Sequence, residues 1–290
     1  MSNTTPRATS IRLFLADGTS DGIRIVEKSN WTGVAVVASR SQLGEALRRD
    51  ELGRPGVYVL IGLGNSGEPM LYIGEADVLR KRLKTHASKK DFWTRFIAFA
   101  SSNEGLSKAH VRYIESRLIE LAMAAKQWEV ANTAVPAKPP LSEADRADAE
   151  WFLAEMLVIY PILGIDAFEA AANELAPDPQ DELRLCERGA EGRGREVSDG
   201  FVVSAGSRAR ASEVPTIHDY MKKIRRRLIK SKVLVPEGDH LVFSQDYRFS
   251  SPSTASGVLV GGTSNGRRAW KNKAGETLKT IQDRQAQDAD

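Results

Sequence analysis

The stretch LYIGEADVLRKRLKTH, residues 71–86, ends an apolar run with an aromatic hydroxyl, Tyr72, and a glycine, Gly74, then passes at once into a strongly basic segment. Read as a helix from Asp77 as cap to about Ala87, it sets Leu79 and Leu83 four residues apart as an inward anchor. Arg82 and His86 are also four apart, each three beyond one of those leucines, so one face mixes a leucine pair with a guanidinium and an imidazole. Cations bordering a buried face need anionic company, either a carboxylate or a bound phosphate. One carboxylate is available. In the long helical pattern opening at Ser107, Glu115 lies four after Val111 and three before Leu118, inside the apolar stripe. An unpaired carboxylate is costly there. It either pairs with Arg82 or holds a hard cation such as Mg²⁺ through oxygen, and the spacing leaves both open.

The elements that must position these residues are legible from periodicity and turn chemistry. SIRLFLADG, GIRIVEK and TGVAVVAS read as strands, and RSQLGEALRRDEL as a short helix. GVYVLIGL and MLYIG flank the Gly-Asn-Ser-Gly-Glu-Pro segment at 64–69, the strongest hairpin signal in the chain. RFIAFAS is a further strand, followed by the Ser107 helix, a Pro-rich stretch and an amphipathic helix, EADRADAEWFLAEMLVIYPIL. Phe92 and Trp93 interleave with Lys89, Lys90 and Arg95, but packing of a helix end is the expected fate of the two rings. His110 is expected at the surface.

Composition sets the class. At 290 residues, with 41% apolar and 27% charged residues, the chain is long enough for two folded domains. Its single cysteine, Cys186, can form neither an internal disulfide nor a cysteine-based zinc site. The N-terminal apolar run of about five residues is broken by Arg12 and is not a signal peptide. No segment approaches the roughly twenty apolar residues of a membrane span. The expectation is a soluble cytoplasmic protein with no membrane partner. Charge is segregated: residues 142–200 carry fifteen acidic and five basic side chains, whereas residues 201–290 carry sixteen basic and nine acidic. With the first 141 residues at a net +6, two basic blocks flank an acidic one, as suits contact with a polyanion.

GVY at 56–58, YIG at 72–74, Arg82, His86, the helix-borne Glu115 and downstream Asn132 together resemble the GIY-YIG nuclease superfamily. The resemblance covers roughly residues 54–135 and rests on the order and spacing of six elements. GVY is a variant of the first signature and YIG matches outright. The resemblance implies an α/β (α+β) domain with a small antiparallel three-stranded sheet flanked by helices, cutting phosphodiesters in DNA with Mg²⁺ (or Mn²⁺). Carried over residue by residue, Tyr58 and Tyr72 reach the attacking water, with Tyr58 as proton acceptor. Arg82 steadies charge on the phosphoryl oxygens, His86 assists proton movement or orients the tyrosine, Glu115 ligates the metal and Asn132 holds the site by hydrogen bonds. Gly74 lets the backbone pass close to the catalytic face. The setting would be DNA repair, restriction or defence.

The expected organisation is a β-rich N-terminal extension over 1–50, the nuclease domain with a trailing helix over 51–172, an acidic flexible linker over 173–199 and a small basic α+β domain over 200–290. The last of these resembles an uncharacterised module appended to GIY-YIG proteins and to restriction- and modification-linked proteins, on the strength of FSSPSTAS, GGTSNGRRAW and a closing Gly-Glu-Thr-Leu. The DNA-contacting cations expected are Lys81, Lys84, Lys89 and Lys90 in the first basic block, and Lys222, Lys223, Arg226, Arg267 and Arg268 in the second. Trp270 is expected as a core plug beside glycines. DNA is the expected partner, single-stranded and branched forms included, with RNA left open. The alternative is a non-catalytic nucleic-acid-binding adaptor retaining the same fold.

Overall fold

Strands covered on both faces read as nearly continuous apolar runs, and GVAVVAS, GVYVLIGL and WTRFIAFAS are such runs, buried along almost their whole length. The computed structural model describes residues 8–65, 67–103, 105–169, 182–215 and 217–287. Two compact units divide the chain, Met1–Phe168 and Glu169–Asp290. In the first, β1 (Ile11–Leu15), β2 (Arg24–Lys28), β3 (Gly33–Ser39), β4 (Gly56–Leu63), β5 (Pro69–Ala76), β6 (Trp93–Ser101) and β7 (Glu129–Val130) form one seven-stranded sheet, in the order β1-β2-β3-β6-β4-β5-β7. All pairs are antiparallel except β5 with the short β7.

This corrects the expected sheet. Strands β4, β5 and β6 do sit together, but as the middle of a larger sheet, and residues 1–50 are no separate extension. Strand β3 pairs with β6 from Gly33↔Ser101 to Ser39↔Arg95. The reason is burial: β6 is apolar on both faces and is paired along both edges, with β4 on one and β3 on the other.

Four helices cover this sheet: α1 (Leu43–Ala46), α2 (Leu79–Lys89), α3 (Lys108–Ala125) and α4 (Glu143–Ile162). Side-chain alternation along β4 divides the core in two. Val57, Val59 and Ile61 pack with residues of α3 and α4. Tyr58 and Leu60 pack with Leu79 and Leu83 of α2 and with Leu43 and Ala46 of α1. Asp77 does not cap α2; its carboxylate pairs with Lys108 at 2.6 Å. Ser107 does cap α3, accepting the His110 N–H at 3.3 Å. His110 is not a free surface residue, because its Nδ1 accepts the Ser107 N–H in return at 3.2 Å.

The second unit holds β8 (Leu183–Glu187), β9 (Ala190–Val197), β10 (Gly200–Val203), β11 (Arg208–Arg210), β12 (Leu234–Glu237), β13 (His240–Phe243) and β14 (Tyr247–Phe249). Their order is β12-β13-β11-β9-β10-β14, with β8 paired to β9. Helices α5 (Asp219–Lys230), α6 (Pro252–Val260), α7 (Gly266–Ala269) and α8 (Leu278–Gln287) complete a mixed α/β chain with two sheets. Among the described residues no helix is long and apolar enough to cross a membrane.

The expected linker is also corrected. Residues 173–181 lie outside the described residues, but 183–197 form the β8–β9 hairpin, turned at Arg188 and Gly189 with φ of 52° and 82°. Its inward face alternates Leu183, Leu185, Ala190, Gly192 and Gly194, so three of its five inward positions have little or no side chain. A Cβ on Gly192 would lie 2.9 Å from the ring of Trp270. Trp270 is the core plug the sequence suggested, fully buried, with Nε1 donating to the Pro252 carbonyl at 3.0 Å. A fragment spanning residues 182–287 is therefore expected to unfold cooperatively on heating, whereas one starting at Gly200 lacks β9, which joins β11 to β10, and is expected to show no transition. Equal cooperativity of the two fragments in circular dichroism melts would contradict this assignment.

Candidate active site

Strand register brings the tyrosines together. Tyr58 lies opposite Gly74 and Leu60 opposite Tyr72 across the β4–β5 ladder, so the two phenols are diagonal neighbours on the α2 face. Their ring centroids are 6.4 Å apart. A Cβ on Gly74 would lie 2.2 Å from the Tyr58 hydroxyl oxygen, so only glycine admits the ring here. Tyr58 is fully buried and Tyr72 half-buried. Leu79 and Leu83 seat α2 on this face, and that seating presents His86, which is 5% exposed. Its Nε2 is 2.7 Å from the Tyr58 hydroxyl, while its Nδ1 is buried with no hydrogen-bond partner among the described residues. Arg82, one turn earlier and exposed, lies beside both phenols.

The remaining two residues reach the cluster around the outer edge of β5. Strand β7 covers only Met70 and Leu71 of that edge. Past it, Asn132 takes the place of a strand: its Oδ1 accepts the Ile73 N–H at 2.9 Å and its Nδ2 donates to the Ile73 carbonyl at 2.8 Å. Two residues on, the Glu115 carboxylate of α3 lies close to the backbone N–H of Glu75. Leu71, Ile73 and Glu75 are alternate residues, whose backbone groups point to the same side. All six residues expected of the site thus converge on one strand pair and its edge.

The electrostatics follow from burial and neighbours. Burial, and then the adjacent Tyr72, push the Tyr58 phenol well above its ordinary range, against the pull of the Arg82 guanidinium. Burial, then Arg82, Lys90 and Lys89, push His86 down to about 4, so the imidazole is neutral at pH 7. Burial, then the nearby Glu75, push Glu115 up to about 7. Among the described residues no ion pair joins Glu115 to Arg82, so the structural salt bridge left open by the sequence is not what satisfies this carboxylate. A cation would. Two carboxylates brought close at a half-buried edge are hard oxygen donors whose repulsion a divalent ion relieves. No group of three His, Cys, Asp or Glu side chains suited to a metal occurs among the described residues. Glu115 and Glu75 are the residues at this edge that could hold a hard cation such as Mg²⁺ or Mn²⁺.

Of the expected DNA-contacting cations, Lys81, Lys84 and Lys89 are exposed along α2 and its end, and Lys90 is half-buried with its Nζ 4.0 Å from the Tyr72 ring centroid. Trp93 is buried, as packing required. In the second unit Lys223, Arg226 and Arg268 are exposed, Lys222 pairs with Asp219 at 3.3 Å, and Arg267 is tied to Asp283 of α8 at 3.1 Å. Sequence reasoning missed Glu75 and Arg40. Glu75 was findable, since it shares the outward parity of Ile73. Arg40 was not, because its partners lie some fifty residues away.

Gly74→Ala drives a methyl into the Tyr58 phenol and is expected to cost about 1–3 kcal/mol of stability, measured by urea unfolding; an unchanged midpoint would show that Tyr58 does not rest on this strand. Glu115 titrates above its ordinary value of 4.5 in the folded state, at about 7. Its contribution to stability is thus complete below the ordinary value and is lost as pH rises through the folded one. Glu115→Gln mimics the protonated form, so in EDTA it is expected to gain on the wild type at pH 8 but not at pH 4.5. A loss of about 3–5 kcal/mol at pH 8, as for a broken buried ion pair, would contradict this.

A family model described as Domain of unknown function (DUF4357) matches residues 183–282. The match begins at β8, in keeping with the place of that strand in the second sheet, and lies outside residues 54–135, so the nuclease resemblance rests on the residues themselves. No curated protein and no solved structure matches the chain.

Proposed function

We propose that the protein is a metal-dependent endonuclease that hydrolyses phosphodiester bonds in DNA, in the cytoplasm, with its second unit adding affinity. The observation that carries this reading is the convergence of Tyr58, Tyr72, Arg82 and His86 on one sheet face with Glu115 and Asn132 on the adjoining edge of β5. Negative charge grows on phosphoryl oxygens during in-line displacement, and a guanidinium is the side chain suited to that charge. Arg82 binds the phosphodiester, and the half-buried Tyr72 beside it orients the attacking water. Water oxygen bonds to phosphorus as its proton passes to the Tyr58 oxygen, and the Tyr58 proton passes over 2.7 Å to Nε2 of neutral His86. The bond from phosphorus to the leaving oxygen breaks on the opposite side, and that oxygen departs with the bonding pair and takes a proton from solvent.

An imidazole held at about 4, by burial first and then by Arg82, Lys90 and Lys89, is a weak acceptor, and a bound phosphate offsets only the part due to those cations. Glu115 would hold the divalent cation, with Glu75 close by. That cation supplies Lewis-acid stabilisation of the phosphoryl and leaving oxygens. In the second unit, Lys222, Lys223 and Arg226 on α5, with Arg267 and Arg268 on α7, suit sequence-independent phosphate contacts.

The test is cleavage of labelled single-stranded, duplex and branched DNA with Mg²⁺ or with EDTA. The wild type is expected to cut only with the metal. Glu115→Gln is expected to bind DNA as before in EDTA and to cut more slowly by orders of magnitude. Binding without cleavage of any substrate in Mg²⁺ or Mn²⁺ would leave the adaptor as the correct reading.

A further inference from the structure

Among the cations expected to contact DNA, Lys90 alone of the first basic block is half-buried, with its side chain over an aromatic ring of the site. Arg82, His86 and Lys90 recur every four residues, so they follow one stripe of α2 to its end. Lys90 is the C-cap, with extended backbone at φ −132° and ψ 124°, and its side chain turns back over the face of Tyr72. No carboxylate pairs with it among the described residues. Its place is fixed from the N-terminal part of the sheet. The Arg40 guanidinium, just past β3, donates to the carbonyls of Ala87 at 2.8 Å, Lys90 at 2.9 Å and Asp91 at 3.2 Å. It also pairs with the Asp91 carboxylate at 3.4 Å and lies 4.8 Å from the Trp93 ring centroid. One buried-edge arginine thereby closes the C-terminus of α2 and sets the turn that carries Lys90.

We propose that Lys90, set in place by Arg40, forms a second phosphate-binding position beside Tyr72, which takes a non-scissile phosphate of the strand held at Arg82. A cation on an aromatic face keeps its outer side free for an anion, and the phenol between Arg82 and Lys90 spaces two positive groups along one strand of substrate. This position deepens the nuclease reading and rests on it for the identity of the strand, while Arg40 acts through Lys90 as a positioning residue. The charged and titratable groups facing His86 are Arg82, Lys89, Lys90, Tyr58 and Tyr72, and Lys90 is among the groups holding the imidazole low. Loss of either Lys90 or its support should therefore raise the His86 titration.

The experiment uses the full chain in EDTA and a set of DNA oligonucleotides, each with one neutral methylphosphonate at a successive position. Lys90→Met is expected to weaken binding about 10-fold at low salt and to lower the salt slope by about 1. It should also be indifferent to the one methylphosphonate that weakens the wild type through Lys90. Equal sensitivity of wild type and Lys90→Met at every position would overturn the proposal. In NMR titrations both Lys90→Met and Arg40→Met are expected to raise the His86 midpoint, and Arg40→Met should add nothing to either effect in the Lys90→Met background. A full additional effect there would remove the positioning role of Arg40. Lys90-dependent binding without any metal-dependent cleavage would keep this position and sink the nuclease reading instead.

Discussion

The outward row of backbone groups on β5 is the constraint around which the first unit is organised. A strand that ends its pairing partway along leaves N–H and C=O groups that must find other partners or stay hydrated. Here the row meets backbone from residue 131 at Leu71 and an amide side chain at Ile73, and the Glu115 carboxylate comes close to it at Glu75. Each partner comes from the chain that has crossed behind the sheet through α3. Because those contacts are made at alternate residues, Asn132 and Glu115 arrive beside the very residues, Tyr72 and Gly74, whose side-chain face is turned toward α2. An edge that a longer β7 would have sealed is instead where helices from both faces of the sheet meet.

The other half of the arrangement depends on the N-terminal strands. Strand β3 completes the pairing of β6, and the segment just after it supplies the arginine that ends α2. Helix α2 is held from its inner face by leucines and from its end by Arg40, so the stripe Arg82–His86–Lys90 has little freedom to drift. The price of this design is local strain on the charges. Burial keeps Tyr58 protonated, His86 neutral and Glu115 reluctant to ionise. Those are the departures a phosphate and a divalent cation would relieve, which is why perturbed groups in one cluster point toward function.

Much of the site was legible because it lies in local spacing. Leu79 and Leu83 fixed the inward face of α2, and with it His86; Val111 and Leu118 placed Glu115 on the inner stripe of α3. The hairpin turn at 64–69 set the register that opposes Tyr58 to Gly74. What escaped was non-local or lacked side chains. Nothing in residues 1–50 announces that β3 joins β6, because pairing partners some sixty residues apart leave no periodic trace. The β8–β9 hairpin hid behind glycines that make room for Trp270 and behind arginines on its outer face. Asp77 looked like a cap by type and position, and a lysine on another helix took it instead.

The proposed proton path runs through the hydroxyl of Tyr58, the atom that would connect water with the imidazole. Tyr58→Phe removes that oxygen and keeps the ring that packs on Gly74. The measurement is the single-turnover rate of DNA cleavage in Mg²⁺, with binding affinity and unfolding midpoint taken on the same preparation. A rate lower by orders of magnitude with unchanged binding and folding is the predicted result. A folded Tyr58→Phe protein that cuts at the wild-type rate would contradict it.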